Sequence, residues 1–239
     1  MIDYALNKLR ARDEVSDTEE AVLRSAISHV MPIGKDVTFV RADVALTSSN
    51  ILIDGLVCRY RDMANGERQV TEVHVPGDFV DLHSFPLQRL DHSIMALVPS
   101  RVAVVPHDAL RAITETQPHL TRLLWLATTM DAAIHREWMV SMGRRSALSR
   151  VAHLLCELHA RFAVVGLTDG NSYALPLTQI DLAECLGLTA IHINRTLREF
   201  RLRKLVTFRS RRVVIADLPA LQDVAEFDDN YLFLDKRPR

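Results

Sequence analysis

Residues 178–205 restrict the fold of this chain more than any other segment, because they have the pattern of two short helices joined by a tight turn. Apolar residues recur at helical spacing on both sides of Gly187, and glycine tolerates the left-handed backbone that ends a helix. Thr178 and Thr189 lie where N-caps are expected, and Asp181 stands three positions after the first, as in a capping box. The pattern predicts a helix-turn-helix, a motif that places its second helix in the major groove of DNA.

Basic residues are concentrated around this segment. Residues 144–216 hold 12 Lys and Arg against 5 Asp and Glu, whereas residues 1–143 hold 14 against 19 and residues 217–239 hold 3 against 6. The net charge of −1 therefore hides a basic stretch inside an acidic chain. Such a stretch is the electrostatic footprint of a nucleic-acid-binding module, and a merely solvated basic face is the alternative explanation.

The composition argues against several other classes of protein. The chain is 48% apolar and 25% charged, which is ordinary for a globular protein. No stretch reaches the roughly 18 apolar residues that span a bilayer, so we expect no membrane partner, and the polar N-terminus does not have the pattern of a secretory signal. Cys58, Cys156 and Cys185 are few and scattered, which favours a reducing cytoplasm over a disulfide framework or an iron–sulfur cluster.

The first half of the chain has a β-rich pattern. Helical spacing in residues 1–30 gives way to short β-rich runs separated by turn residues. An Asn-Gly pair at 65–66 is a strong hairpin signal, and Pro-Gly-Asp at 76–78 marks another turn. Short strands at near-regular spacing predict a sandwich or a barrel-like β-roll. The runs cover residues 37–41, 51–61, 68–75, 93–97 and 101–105.

A long helix is predicted over residues 119–142, which contain no Gly or Pro. Its apolar residues follow alternating three- and four-residue steps, which are typical of a coiled-coil dimer contact, although a core helix within one protomer has a similar stripe. Gly143 is expected to end the helix and to begin a hinge that extends to Arg145. The predicted dimer seam is Leu120, Leu123 or Leu124, Ala127, Met130 or Asp131, Ile134 and Met142.

The remaining residues complete a predicted winged helix-turn-helix. A helix near residues 146–165 precedes the two short helices, and short strands at 205–208 and 213–216 follow them. These strands flank the sequence Arg-Ser-Arg-Arg, which predicts a two-stranded wing with a basic tip. Residues 217–239 are acidic and are expected to form a weakly structured tail.

This order of elements resembles the Crp–Fnr superfamily, that of the cyclic-AMP receptor protein and the fumarate–nitrate regulator of bacteria. Three features carry the resemblance: Gly55 in the first long hairpin, Pro-Gly-Asp-Phe at 76–79, and LTQIDLAECLGLTAIHINRTLREFRLRKLV at 177–206. It covers about residues 20–216. The resemblance implies a homodimeric transcription regulator that binds a roughly palindromic operator in double-stranded DNA and contacts RNA polymerase.

The resemblance also implies an α+β chain of four parts. Residues 1–116 would form a sensor domain with N-terminal helices and a jelly roll like that of cyclic-nucleotide-binding domains. Residues 117–143 would form the dimerisation helix, residues 144–216 the winged helix-turn-helix, and residues 217–239 the tail.

The helix at residues 189–204 is the predicted DNA-reading helix. Ile193, Leu197 and Phe200 share one face by helical spacing, so we expect them to pack inward. Arg195 matches the base-contacting arginine of the family and is predicted to bind guanine O6 and N7. The other residues predicted to contact DNA are Thr178, Gln179, Thr189, Ala190, Ile191, His192, Asn194, Arg198, Arg209, Arg211 and Arg212.

The effector site of the cyclic-nucleotide binders fits this chain poorly. The resemblance implies that a Gly-Glu pair and an Arg-Ser pair hold the nucleotide, but Asp81-Leu82 and His92-Ser93 stand in their places. Leu82 cannot accept a ribose hydroxyl, and Asp81 and Asp91 repel a phosphodiester. We therefore expect no cyclic-AMP binding of the usual kind, and the effector is unknown. The candidate effector residues are Asp81, Leu82, His83, Asp91, His92 and Ser93.

Other sites and functions are possible on this sequence. His74, His83 and His92 recur every nine residues, but this spacing differs from the short pairs that anchor metal or haem, so no metal site is predicted. A cupin-type metal-dependent enzyme would need a His-x-His pair in the roll, which the chain lacks. A cyclic-nucleotide-responsive adaptor without DNA binding would not need the basic helix. The sequence therefore predicts a regulator with no catalytic residues.

Overall fold

The computed structural model describes all residues from Met1 to Arg239. Two helices, α1 (Asp3–Arg10) and α2 (Asp17–Ser25), come first, and a capping box between Ser16 and Glu19 begins the second of them. They pack against the roll through Leu6 and Leu23, which are both buried.

Seven strands form the roll, as two antiparallel sheets with the orders β1-β7-β3 and β2-β6-β4-β5. The predicted run at 51–61 is two strands, because Gly55 turns the chain at φ +89° and a Cβ there would lie 2.1 Å from the Ser100 hydroxyl. The Asn-Gly hairpin at 65–66 is confirmed, since β4 and β5 pair on either side of it. The strands are β1 (His29–Ile33), β2 (Thr38–Val40), β3 (Ser48–Asp54), β4 (Val57–Asp62), β5 (Arg68–His74), β6 (Ser93–Ala96) and β7 (Ser100–Pro106).

Helices follow the roll and lead into the second half of the chain. A short helix, α3 (Ser84–Leu87), lies before β6, and α4 (His107–Thr116), which was not predicted, precedes the long α5 (Pro118–Arg144). The helix continues one residue past Gly143, its predicted end, because a glycine weakens a helix by only about 1 kcal/mol, and the break falls within the predicted hinge. The break comes at Arg145, and Ser146 caps the next helix, α6 (Ala147–Val164).

The two faces of α5 differ from the predicted assignment. Leu120, Leu123 and Ile134 of the predicted seam are buried within their own protomer, so they cannot face a partner. Apolar spacing identifies a packed face but not what packs on it. The opposite face exposes Trp125 by 71% and Met139 by 70%. Residues on that exposed face alternate in three- and four-residue steps, and they are Arg122, Trp125, Thr129, Ala132, Arg136, Met139 and Gly143.

The winged helix-turn-helix follows α6 and is confirmed in outline. Its small sheet has the order β10-β11-β9-β8, which includes two strands before the motif as well as the two strands of the wing. The elements are β8 (Thr168–Asp169), β9 (Ser172–Ala174), α7 (Gln179–Leu186), α8 (Ala190–Leu202), β10 (Val206–Arg209) and β11 (Arg212–Ile215).

The C-terminal residues are folded, which corrects the expectation of a weakly structured tail. They form α9 (Leu218–Ala225) and a 3-10 helix, Asp229–Leu232. Leu221 and Ala225 join the core, the Tyr231 hydroxyl donates to Glu157 Oε2 at 2.8 Å, and Leu232 O accepts from Arg12 Nη2 at 2.8 Å. The excess of Asp and Glu in this segment suggested a solvated tail. The apolar residues between these acidic residues nevertheless form a face that packs on the core.

A single apolar cluster joins the roll to the DNA-binding part. Val70 and Val73 of β5 belong to the same buried cluster as Leu155 of α6 and Leu182 of α7. The Gln69 side chain donates to the Glu184 carbonyl at 3.1 Å, which links β5 to α7 directly. None of the helices has the length and apolar character that crossing a bilayer requires.

Candidate nucleic-acid interface

Local hydrogen bonds position the helix-turn-helix as the sequence predicts. The Thr178 hydroxyl accepts from the Asp181 N–H at 3.2 Å, and the Asp181 carboxylate accepts from the Thr178 N–H at 2.6 Å. Gly187 ends α7 at φ +58°, and the Thr189 hydroxyl caps α8 by accepting from the His192 N–H. These short-range contacts set where each helix begins and ends.

The two faces of α8 have opposite surroundings. Ile193, Leu197 and Phe200 are no more than 4% exposed, which confirms them as the inward face. All twelve residues predicted to contact DNA are exposed. Six of them, Gln179, Ala190, Ile191, Asn194, Arg195 and Arg198, line one open depression between the start of α7 and α8.

Along α8, this surface combines cations with neutral groups. Arg195 and Arg198 project from it without an ion-pair partner in the protein, whereas Arg203, at the end of the helix, pairs with Glu199. The Asn194 amide donates to Gln179 Oε1 at 3.3 Å and keeps a second N–H and its carbonyl free. Ile191 is 72% exposed, which is unusual for an aliphatic side chain that has no partner.

A tight turn carries the basic tip of the wing. Ser210 and Arg211 both have positive φ, 51° and 59°, as a two-residue hairpin turn requires. Arg209 and Arg211 are exposed and unpaired. Arg212 differs, because its guanidinium donates to Ser172 Oγ at 2.6 Å and to Asp169 Oδ2 at 3.3 Å.

The structure places the candidate effector residues in different surroundings. Asp81 is fully buried, and its carboxylate accepts from the Asn50 N–H at 2.5 Å and from the Asn50 amide at 2.7 Å, while burial raises its pKa to about 7. Leu82 packs in the apolar core. Both side chains are buried, so neither is open to a ligand from solvent in this structure, unlike the expectation for an effector pocket. The Ser93 hydroxyl accepts from the Ala42 N–H at 3.1 Å.

The three regularly spaced histidines do not converge. The rings of His83 and His92 lie 5.3 Å apart, and His92 Nδ1 is 3.0 Å from the exposed Asp91 carboxylate. His74 is buried elsewhere, with its nitrogens 3.6 Å from Asp78 and 3.7 Å from a second carboxylate. No group of three or more His, Cys, Asp or Glu side chains has an arrangement that could hold a metal ion.

A buried charge cluster between the roll and α5 was missed at the sequence level. Arg59 is 2% exposed and Glu72 is fully buried, and they pair at 2.8 Å. Arg161 of α6 is the second arginine of the cluster, and it pairs with Asp78 at 2.9 Å and with Glu157 at 3.0 Å. A β-bulge between Arg59 and Tyr60 brings Arg59 opposite Glu72 in the hairpin, and the sequence gives no signal for that shift of register.

Two family models match the chain: a cyclic nucleotide-binding domain over residues 33–117, and a Crp-like helix-turn-helix domain over residues 149–224. The chain belongs to the Crp–Fnr superfamily. This Crp–Fnr chain is a transcription regulator, and the predicted fold of β-roll, long central helix and winged helix-turn-helix is confirmed.

Full-length relatives of this Crp–Fnr regulator agree with that assignment. The anaerobic regulatory protein of Haemophilus influenzae is 24% identical over 219 residues, which is 92% of this chain and 85% of the relative. The fumarate and nitrate reduction regulatory protein of Vibrio cholerae is 23% identical over 223 residues, 93% of this chain and 89% of the relative. The structure of FixK2 from Bradyrhizobium japonicum matches with a TM-score of 0.75 at 24% identity, over 82% of this chain and 96% of that one. Crp–Fnr regulators bind DNA and act as dimers.

Proposed function

We propose that this regulator is a homodimer that recognises a palindromic operator with the exposed face of α8. The observation that carries the proposal is the surface on which all twelve candidate residues are exposed, with Arg195, Arg198, Arg209 and Arg211 left without partners in the protein. Exposed arginines without internal partners are the groups that DNA phosphates and guanine edges bind.

The proposed base contacts come from the N-terminal half of α8. Arg195 would donate two hydrogen bonds to guanine O6 and N7. Asn194 retains a free donor and acceptor, which suits the N7 and N6 edge of adenine, and Ile191 would contact a thymine methyl group.

The proposed phosphate contacts surround the base-reading residues. Backbone N–H groups at the start of α7 suit a phosphate, and the exposed arginines of the wing would supply further phosphate contacts. These contacts would fix the register of the protein on the duplex without reading sequence. The residues are Thr178, Gln179, Thr189, Ala190, His192, Arg198, Arg209, Arg211 and Arg212.

The proposed dimer contact is the exposed face of α5 within residues 119–142. Trp125, Met139 and Val140 are large apolar side chains that are at least half exposed in the protomer. Trp125 and Met139 belong to the exposed residues of α5 that follow three- and four-residue steps, and such steps match the seam of two parallel helices. A symmetric pair would present two copies of α8 to half-sites about one turn of DNA apart.

The remaining parts of the proposal follow from the family. We propose that the protein acts by binding and not by catalysis, in the cytoplasm, and that it contacts RNA polymerase. The supports are relatives that are named as regulators and three cysteines that are all free and buried, as in a reducing compartment.

The test is fluorescence anisotropy with DNA from the promoter region of the gene, compared with a scrambled duplex. We expect selective binding that weakens steeply with salt, by about 10³–10⁵ between 50 and 200 mM if six to ten phosphates are contacted. Equal affinity for both duplexes would contradict sequence-specific recognition. A shallow salt dependence would contradict the proposed basic surface.

A further inference from the structure

The junction between the roll and α5 decides whether a ligand in the sensor can influence the DNA-binding part. A ligand shifts a conformational equilibrium only if it binds the two states differently, and contacts between the roll and α5 are where such a difference would reach the DNA-binding part. In this structure, β4, β5 and the segment at residues 80–93 meet the middle of α5. The side chain that occupies this junction is Arg59.

The Arg59 guanidinium binds three elements at once. Its Nε and Nη2 donate to the Val80 carbonyl at 3.0 and 2.7 Å, which holds the first residue of the segment 80–93. Its Nη1 donates to Glu72 of β5 at 2.8 Å, and its Nη2 donates to Asp131 of α5 at 2.7 Å. The planar guanidinium therefore joins the roll to α5 through groups of this chain alone.

Neighbouring charges extend the junction to the DNA-binding part. His135 of α5 lies 3.1 Å from Glu72, and Arg161 of α6 lies 3.8 Å from the same carboxylate. Arg161 also holds Asp78 of the roll, at 2.9 Å. Contacts between buried and half-buried charged groups therefore connect the segment 80–93 through Arg59 and Glu72 to α6.

Removal of Arg59 would leave two buried carboxylates without their main cation. Burial raises the pKa of Glu72 and of Asp131, and the positive charge of Arg59 opposes that rise in both. An uncompensated buried charge is strongly unfavourable. The junction therefore depends on a cation at this position, and Arg59 of β4 supplies that cation.

We propose that Arg59 acts as a built-in substitute for an effector, so that this regulator holds its DNA-binding conformation without a cyclic nucleotide. This inference rests on the proposed function, because it describes the regulation of the same DNA-binding surface. In this view, the roll is held permanently against α5 by Arg59, and it does not respond to a ligand.

The first test measures nucleotide and DNA binding by the full-length protein. We expect no saturable heat with cyclic AMP or cyclic GMP in calorimetry, and the same operator affinity with and without either nucleotide. Stoichiometric nucleotide binding that raises operator affinity tenfold or more would overturn the inference. If the wild-type protein showed no operator selectivity at all, the proposed function would fail instead.

The second test replaces the cation. Arg59→Ala should weaken operator binding about 5- to 150-fold, the usual range of coupling between sites, and millimolar guanidinium chloride should restore most of the loss. The matched control is Arg61→Ala, an exposed arginine on the same strand, which should bind as the wild type does. Sodium chloride at the same ionic strength should not rescue.

A third variant keeps the test decisive if Arg59→Ala does not fold. Asp131→Asn removes the negative charge of the α5 partner and preserves its shape, so it should weaken operator binding while guanidinium chloride gives no recovery. Circular dichroism would establish that each variant is folded. Wild-type operator affinity in a folded Arg59→Ala or Asp131→Asn protein would overturn the inference.

Discussion

The arginines of α8 and the arginines beneath the roll carry the same charge in opposite surroundings. Arg195 and Arg198 are exposed and have no ion-pair partner, whereas Arg59 and Arg161 are almost completely buried and each contacts at least two carboxylates. A cation whose partners lie in its own chain cannot bind an external anion without breaking those contacts. The comparison separates the charge that recognises DNA from the charge that holds the molecule together.

The exposed face of α5 extends the comparison, and its disruption should have the largest effect. Trp125→Glu should place two carboxylates at the dimer contact and produce monomers. Because two linked half-sites gain about 10²–10⁴ in affinity, operator binding should fall by a similar factor. Sedimentation velocity and anisotropy would measure the two changes. Val44→Glu, at another exposed apolar residue in the roll, should change neither, and a dimeric Trp125→Glu protein would refute the assigned face.

Truncation of a buried arginine should have the next largest effect. Arg161→Ala removes the only cation paired with Glu157 and one of the cations paired with Asp78, and should lower the free energy of unfolding by about 3–5 kcal/mol, because it leaves the buried Glu157 charge unpaired. Urea denaturation followed by circular dichroism would measure it. The matched variant Arg198→Ala should remain within about 0.5 kcal/mol of the wild type. Similar losses in both variants would erase the distinction between the two regions.

On the DNA-binding surface, Arg195→Ala should reduce discrimination at one base pair by about 1–3 kcal/mol and leave unfolding unchanged. Competition with operators altered one base pair at a time would measure it. Arg198→Ala provides the contrast, because loss of a phosphate contact should weaken all sequences alike and lower the salt slope by about one. Unaltered base preference in Arg195→Ala would remove its assigned role.

The smallest expected effect is on how the free energy of unfolding depends on pH. Burial, with Arg59 as the next cause, lowers the pKa of His83 to about 3 and that of His135 to about 4. The unfolded chain binds protons at these sites below about pH 6.5. The unfolded state therefore holds more protons between pH 6.5 and 4, and stability should fall as the pH falls through this range. Unfolding at several pH values would measure this, and His83→Gln should flatten the dependence.

His119 provides a control of opposite sign. Its hydrogen bonds to Asp13 and Glu19 raise its pKa. Its stabilisation is complete below about pH 6.5 and is lost as the pH rises through the raised folded-state pKa. His119→Gln should therefore lower stability near pH 6 and have less effect in alkaline solution. A uniform loss across the pH range would show that packing and not charge is responsible.

Elements held by neighbours in sequence were predictable. The caps at Thr178 and Thr189, the turn at Gly187 and the inward face of α8 depend on residues within a few positions of one another. The hairpin at 65–66 is equally local, although the bulge that brings Arg59 opposite Glu72 is not part of its turn. These features could be derived because short-range hydrogen bonds and side-chain periodicity determine them.

Other features could not be derived because their causes are distant in sequence. Leu124 and Ile134 of α5 look like a dimer seam until the roll and the C-terminal helices are seen to cover them. The acidic tail folds because Leu232 reaches Arg12, near the other end of the chain. Candidate effector residues such as Asp81 are buried by contacts with a separate strand.

The sequence by itself determined the helix-turn-helix, its caps and the basic face of α8, since the interactions that form them act within a few residues. Only the tertiary structure decided which face of α5 is free and which charges are paired. Arg59 and Asp131 lie 72 residues apart in the chain, and their contact exists only once the roll has packed on α5. Pairing between remote side chains follows from three-dimensional packing, because local spacing contains no information about it.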